Sequence, residues 1–182
     1  RRSSDLKMLI KTLTRAKELT DQGVDLFASP SLKYFFKHTI NKTYFNSNRE
    51  EVLTNFVNLD DNDIWCALKV WANHEDKILS TLSQGLIYRK LFKIKLSAEP
   101  FTQDQLEKCT EEYVDKMCIS KHEASYLFST GSVTTNMYNE ADDSIDIMYN
   151  DGTIKDISEA SDMLNIQLLS KKVEKYYLCY LR

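Results

Sequence analysis

A basic run in the middle of the chain has the residue types best suited to binding a ligand. Four cations, Arg89, Lys90, Lys93 and Lys95, follow closely on one another. The planar guanidinium of an arginine suits a phosphate group, and a lysine adds a point charge. The run therefore predicts phosphate contacts. The alternative is ordinary charge at a helix end and on a solvated strand, because cations are favoured at helix C-termini.

The histidines and acidic residues form no motif typical of a metal or catalytic site. His38, His74 and His122 lie far apart in the sequence, and none is followed by Asp. We expect His74 to be a loop or capping residue, with a metal ligand as the alternative. The acidic run at 60–63 could attract a divalent cation, but it lacks the glycine and the distant glutamate of an EF-hand loop, so we expect helix capping. We predict no catalytic residue and no metal ligand in this chain.

The four cysteines, at 66, 109, 118 and 179, are expected to be reduced and packed as small hydrophobic residues. Their spacings match no CxxC pair and no zinc pattern. Reduced cysteines favour a cytoplasmic location.

Length and composition limit the classes of protein. The chain has 182 residues, 42% of them hydrophobic, and a net charge of -3. These values fit one domain or two small ones and exclude a disordered chain. No apolar run approaches the ~20 residues of a membrane span, and the mild acidity makes nucleic acid an unlikely partner. The chain begins with Arg rather than Met and shows no signal peptide, so we expect a fragment of a longer protein.

Helices are predicted for the first half of the chain. Apolar residues recur at helical spacing. The stripe of the first helix is Leu6, Leu9, Ile10, Leu13, Ala16 and Leu19, and the residues predicted to face inward in a later helix are Val52, Leu53, Phe56 and Val57. The last helix of this half ends near the basic run. The predicted helices cover 5–20, 31–38, 48–57, 64–71 and 76–87. Asp76 is predicted to cap the last of them, and Gly85 weakens its helical pattern.

The second half is predicted to mix strands with a helix. Residues 92–96 alternate apolar and basic residues, and a helix is expected over 102–118. Asn150-Asp151-Gly152 between two alternating runs is the strongest hairpin signal in the chain. A last strand is predicted at 173–181, and 119–143 has no clear period. The fold class is therefore a mostly α N-terminal half, a helical bundle, followed by a smaller α+β C-terminal half with an antiparallel sheet, divided as 1–92 and 93–182.

Several local segments are similar to a known family. The most telling is Tyr-Arg-Lys-Leu-Phe-Lys at 88–93, and weaker similarity continues to the end of the chain. The other matching segments are 13–19, 59–65, 68–71 and 76–79. Together they resemble the HD-superfamily phosphohydrolases, and more narrowly the branch that includes deoxynucleoside triphosphate triphosphohydrolases.

The resemblance implies a particular chemistry and a particular site. In that family, histidines and a His-Asp pair bind a metal, and a water attacks a phosphate ester or anhydride. This chain has no His-Asp dipeptide, so the resemblance implies the C-terminal part of such an enzyme, with the divalent metal held upstream. In nucleotide-regulated relatives, the Arg and Lys of the 88–93 run contact a regulatory deoxynucleotide at a subunit junction. Arg89 and Lys93 match these two positions.

We therefore expect a regulatory and oligomerisation region of a metal-dependent nucleotide phosphohydrolase, catalytically inert alone. The expected partners are further copies of the chain and a deoxynucleotide. The alternative is a protein-interaction module with no nucleotide role, since the chain is predicted to carry a sheet edge and an aromatic-rich last strand.

Overall fold

The computed structural model describes residues 2–135, 146–156 and 173–182. Within these ranges the chain forms eight helices and five strands. The helices are α1 (Arg2–Asp21), α2 (Pro30–Lys37), α3 (Lys42–Ser47), α4 (Arg49–Val57), α5 (Asp61–Trp71), α6 (Lys77–Ile87), α7 (Gln103–Met117) and α8 (Lys121–Ala124). The strands are β1 (Lys93–Ser97), β2 (Phe128–Thr135), β3 (Asp146–Met148), β4 (Ile154–Asp156) and β5 (Val173–Tyr180).

The described residues group into two compact units. The first comprises those of Arg1–Ile94, Gln103–Ser129 and Cys179–Arg182, and the second those of Lys95–Thr102 and Thr130–Leu178. The first unit is helical and carries Arg89, Lys90 and Lys93 of the basic run, whereas Lys95 belongs to the second unit. The division into domains at 1–92 and 93–182 stays a prediction, because compact packing does not show which segment folds by itself.

Side-chain caps begin the two helices that lead to the basic run. The carboxylate of Asp60 accepts hydrogen bonds from the backbone N–H groups of Asn62 and Asp63, and Asp63 bonds back to the Asp60 N–H, which is a capping box. The Asp76 carboxylate accepts from the Leu79 N–H at 2.7 Å and caps α6. Both caps were predicted from the sequence.

The core of the first unit lies where α5 and α6 pack together. Its largest fully buried side chains include Trp71, Leu68, Ile78, Leu79 and Leu82. The Trp71 indole satisfies its N–H by donating to the Phe27 carbonyl at 2.9 Å. Burying an aromatic ring of this size contributes much of the stability of a small core.

The buried face of α1 differs from the predicted apolar stripe. Ala16 and Leu19 of the stripe are buried as predicted, but Leu6 and Ile10 are 56% and 47% exposed. Met8 and Thr12, which lie outside the stripe, are fully buried. Thr12 can be buried because its hydroxyl donates to the Met8 carbonyl at 2.8 Å. The face that enters the core thus overlaps the predicted stripe only in part and includes the polar residues Thr12 and Arg15.

The inward face predicted for α4 is also only partly right. Val52 is buried, but Leu53, Phe56 and Val57 are 41%, 66% and 79% exposed. The spacing of apolar residues predicts which face of a helix is apolar. It does not predict whether another element covers that face.

The four cysteines form no disulfide, in agreement with the predicted reduced state, but their expected packing is only partly right. Cys179 is buried, whereas Cys66 and Cys118 are exposed.

Gly85 allows α1 and α6 to approach closely. A Cβ at this position would lie 2.1 Å from Cε of the fully buried Met8 and 3.2 Å from the Lys90 carbonyl oxygen. A real Cβ does not tolerate such a distance. The end of the Met8 side chain would therefore have to move to admit an alanine at the glycine that weakens the helical pattern.

The second unit contains the predicted hairpin and most of a three-stranded sheet. β3 and β4 pair antiparallel, with Met148 opposite Ile154, and Gly152 has a φ of +84° in the turn between them. The sheet has the order β1-β5-β2. The predicted hairpin residues 144, 145 and 157 lie outside the described residues, as does 136–143 of the unassigned stretch.

The predicted fold class is confirmed: helices dominate the N-terminal half, and a small antiparallel sheet follows in the C-terminal part. In the described ranges, no helix has both the length and the apolar character needed to cross a membrane.

Candidate functional site

The basic run lies at the junction between α6 and β1. The Tyr88 N–H donates to the Gln84 carbonyl at 2.9 Å, and Arg89 follows in a left-handed backbone conformation with a φ of +58°. A left-handed residue just past a helix ends it and turns the chain. Phe92, only 4% exposed, anchors the start of the strand. The end of α6 and the buried Phe92 thus fix the backbone that carries Arg89 and Lys90.

Lys93 lines a cavity of about 400 Å³ in the first unit, here called the lysine cavity. It also holds Lys90 and Arg182, and no acidic side chain is among its described lining residues, so the formal charge of the lining is positive. The full lining is Thr81, Gln84, Gly85, Tyr88, Lys90, Leu91, Lys93, Leu181 and Arg182.

Arg89 lines a different cavity, of about 380 Å³, here called the tryptophan groove. The same lining includes two carboxylates, those of Asp5 and Asp61. The full lining is Asp5, Leu6, Leu9, Asp61, Ile64, Trp65, Leu68, Leu86, Arg89 and Leu91. Leu91 lines both cavities. The structure thus does not bring Arg89 and Lys93 into one cavity, and their phosphate contacts stay a prediction.

The cations of the junction are open to solvent. Arg89, Lys90 and Lys93 are all exposed, and within the described part of the chain none of their side chains forms a hydrogen bond or an ion pair. Exposed cations without protein partners are available to an anionic ligand.

A buried ion-pair network fixes the other end of α6. Arg15 of α1 is 6% exposed, and its guanidinium reaches Asp76 at 2.6 Å, Glu18 at 2.8 Å and Glu123 at 3.2 Å. Glu18 also accepts a hydrogen bond from Tyr126 at 2.7 Å and lies 2.8 Å from His122 Nε2. The network ties α1, the N-cap of α6 and α8 together.

The network keeps its carboxylates ionised. Burial alone would raise the pKa of Glu18, but hydrogen bonds from Tyr126, Arg15 and His122 outweigh it and lower that pKa to about 2. Burial likewise opposes ionisation of Asp76, whose pKa is nevertheless lowered by Arg15 and by the Leu79 N–H. Burial and the hydrogen bond to Glu18 raise the pKa of Tyr126 to about 12. These groups act as structural partners of Arg15.

The residues considered for metal binding have local structural roles. His74 accepts a hydrogen bond from the Asp76 N–H at 3.0 Å, so it supports the start of α6. Among the described residues, no group of three or more His, Cys, Asp and Glu side chains is placed to hold a metal ion. The described residues therefore do not form a site for the divalent metal that the resemblance implies.

The chain is similar to a solved protein along almost its whole length. A crystal structure of a phosphohydrolase from Bacteroides thetaiotaomicron VPI-5482 superimposes with a TM-score of 0.89 at 58% sequence identity. The match covers 99% of this chain and 44% of that one.

The chain resembles part of a phosphohydrolase. It spans less than half the length of that protein. Neither a family model nor a curated protein matches the sequence. Identity at this level over 99% of the chain means a shared fold.

Sequence reasoning missed two features of the site. The lysine cavity is completed by Arg182, which is remote in sequence from the basic run, so no local pattern could reveal it. The partners of Arg15 at 76 and 123 are equally remote. The local signal for this network was Arg15 itself, because a charged residue among the apolar residues of α1 needs a charged partner if it is buried.

Proposed function

We propose that this chain is a regulatory and oligomerisation region of a metal-dependent HD-type nucleotide phosphohydrolase, and that it binds the phosphates of a deoxynucleotide without hydrolysing them. The observation that carries the proposal is the similarity, at 58% identity over 99% of the chain, to a phosphohydrolase more than twice as long. The run at 88–93 supplies the residues that the resemblance assigns to nucleotide contact.

The geometry of the junction supports phosphate contacts by Arg89 and Lys93. Both side chains are exposed and, among the described residues, without a protein partner. Each lines a cavity large enough for part of a small ligand, and Leu91 is common to the two linings. In the oligomer that we propose, a neighbouring subunit completes the contacts of Arg89.

Catalytic inertness is supported by the sequence, since the His-Asp pair of the family is absent from it. The divalent metal and the attacking water belong, in this proposal, to a part of the enzyme outside these 182 residues.

The test is equilibrium binding of the four common deoxynucleoside triphosphates to the 182-residue chain. Arg89→Ala should weaken binding by about three-fold to a hundred-fold, because a charge-assisted hydrogen bond contributes about 1–3 kcal/mol. Isothermal titration calorimetry measures the change, with Lys69→Ala, an exposed cation on α5, as the control. Equal binding by Arg89→Ala and the parent rules out this contact, and phosphate or triphosphate release by the purified chain rules out inertness.

A second function, a protein-interaction module with no nucleotide role, is favoured by one observation. Large apolar side chains are exposed on three helices of the first unit, including Leu6 on α1, Phe56 on α4 and Trp65 on α5. Such side chains are typical of surfaces that another protein covers. Binding of no nucleotide, together with self-association, would favour this function.

A further inference from the structure

We propose that helix α4 of one copy of this chain docks into the tryptophan groove of a second copy. Both surfaces belong to the first unit, and both leave large apolar side chains exposed. The inference rests on the proposed function and deepens its oligomerisation role, since it names the two surfaces that meet. A second copy is the favoured partner because the same chain carries an apolar groove and, on another helix, an apolar stripe with complementary charges.

The tryptophan groove has the form that receives a helix. Helices α1 and α5 both pack against α6, and all three contribute to the lining. Leu68 and Leu86 are buried, whereas Leu6 on α1 and Trp65 on α5 remain 56% and 45% exposed. An apolar groove between helices is a common seat for the apolar face of an amphipathic helix.

Helix α4 carries an apolar stripe of the kind that such a groove receives. Leu53, Phe56 and Val57 follow the i, i+3, i+4 spacing that puts side chains on one side of a helix. All three are exposed, and Val57 is exposed most. Val52 is buried, and α4 packs against α2 and α3 of its own copy. The helix is therefore held in place while its stripe stays open to a partner.

Charged residues beside the two surfaces have complementary signs. Arg49 and Glu50 are exposed in the first turn of α4, directly before the stripe. The lining of the groove includes two carboxylates, Asp5 and Asp61, and one cation, Arg89. Each charge at the start of the stripe thus has a counterpart of opposite sign in the groove. Such complementarity selects which surfaces meet and in which register.

The two surfaces lie on consecutive helices, which suits a closed assembly. Helix α4 ends at Val57, and α5, which carries Trp65 of the groove, begins at Asp61. When two complementary surfaces are neighbours, one two-fold axis can place each stripe in the groove of the other copy. The same contact is then made twice in one interface.

The experiment is sedimentation equilibrium of the 182-residue chain and of one variant for each surface. Leu6→Glu puts a charge in the groove, and Phe56→Asp puts one in the stripe. We expect each to raise the dissociation constant at least ten-fold, because a charge is poorly tolerated in the core of an interface. The matched controls are Ile10→Glu, at an exposed apolar residue of α1 outside the groove lining, and Thr54→Asp on α4. Each control should change the constant by less than about two-fold.

Mixing the two weakened variants distinguishes this contact from other ways of pairing. Leu6→Glu keeps an intact stripe, and Phe56→Asp keeps an intact groove. An equimolar mixture should therefore associate at least five-fold more tightly than either variant alone, since it regains one stripe-to-groove contact. A pairing of stripe with stripe would not be weakened by Leu6→Glu.

A charge variant tests the same contact without touching the apolar residues. Arg49→Glu changes an exposed residue in the first turn of α4, where an acidic side chain also suits the helix. We expect it to weaken association by about three-fold at low ionic strength and by less at high ionic strength. This variant decides the question should Leu6→Glu fail to keep the circular dichroism and thermal midpoint of the parent.

Two kinds of result would overturn the proposal, and they can be told apart. A folded Leu6→Glu or Arg49→Glu that associates as the parent does, or a mixture no tighter than its components, overturns docking of α4 in the groove and leaves the proposed function standing. A parent that is monomeric at high concentration overturns both the docking and the oligomerisation role. Calorimetry with deoxynucleotides measures the nucleotide part of the proposed function independently.

Discussion

Arg15 is the residue on which the position of α6 depends. It is almost fully buried yet meets three carboxylates within 3.2 Å, from Glu18, Asp76 and Glu123. Removing one partner of a buried charge is far more costly than breaking a surface pair, because the remaining charge stays in a medium of low dielectric constant. Asp76 has a double role, since it also caps α6.

Glu18→Gln should lower the free energy of unfolding by about 2 kcal/mol at neutral pH, because it removes charge-assisted hydrogen bonds from a partly buried site. The pKa of folded Glu18 is about 2, below its ordinary value of 4.5. The carboxylate therefore contributes stability above pH 4.5, and this contribution is lost as the pH falls toward 2. The stability gap between parent and variant should narrow over that interval in urea unfolding curves.

The control for this prediction is Asp25→Asn. Asp25 pairs with Lys33 at 2.6 Å but is 84% exposed, and exposed pairs contribute little. Two results would contradict the role assigned to the network. One is a difference in free energy of unfolding between the parent and Glu18→Gln that stays constant from pH 7 to about 3. The other is a difference no larger than that caused by Asp25→Asn.

At the residue scale, the sequence predicts only what neighbours along the chain determine. Arg89 and Lys93 could be proposed as phosphate-contacting residues because they lie in one contiguous motif. Asp60 and Asp76 could be predicted as helix caps because a cap bonds to the turn that directly follows it. The sequence could not predict that Arg182 lines the lysine cavity or that Glu123 pairs with Arg15. In each case folding brings together residues that are distant in the sequence.

At the scale of the elements, helices were easier to place than their buried faces. Each predicted helix of the first half is present, and the residue after α1 that turns the chain, Gly23, has a φ of +92°. The buried face of α1 contains Thr12 and Arg15, which look polar in the sequence. They enter the core because a backbone carbonyl and three carboxylates satisfy them, and hydropathy spacing does not register such partners.

The contact between α1 and α6 makes a prediction for Gly85→Ala. The new Cβ would collide with the buried Met8 side chain, an overpacking cost of about 1–3 kcal/mol that exceeds the roughly 1 kcal/mol gained in helix propensity. We expect a lower free energy of unfolding in chemical denaturation.

Met8→Ala serves as the partner in a double-mutant cycle. Alone, Met8→Ala should lower the free energy of unfolding by about 2–5 kcal/mol, because it leaves a cavity in the core. Combined with Gly85→Ala it should cost less than the sum of the two changes, because the Cβ enters the space that Met8 leaves. Additive effects, or a Gly85→Ala protein more stable than the parent, contradict this packing.

At the scale of the whole molecule, exposed apolar side chains point to self-association. Phe56 is 66% exposed and Val57 79% exposed on α4. We expect the chain to form concentration-dependent oligomers in analytical ultracentrifugation, and Phe56→Asp to weaken them by at least ten-fold in dissociation constant, because a charge is poorly tolerated inside an interface. Thr54→Asp, an exposed polar position of the same helix, is the matched control. A chain that is monomeric at high concentration contradicts the oligomerisation role.

The measurement that tests the central claim most directly is ³¹P NMR of a deoxynucleoside triphosphate mixture with the purified chain and Mg²⁺. One spectrum reports both binding and turnover. The account predicts shifted or broadened phosphate resonances that reach a steady state, with no new signal from inorganic phosphate or triphosphate. Unperturbed resonances would contradict nucleotide binding at the α6–β1 junction, and the growth of a product signal would contradict a regulatory region that is inert alone.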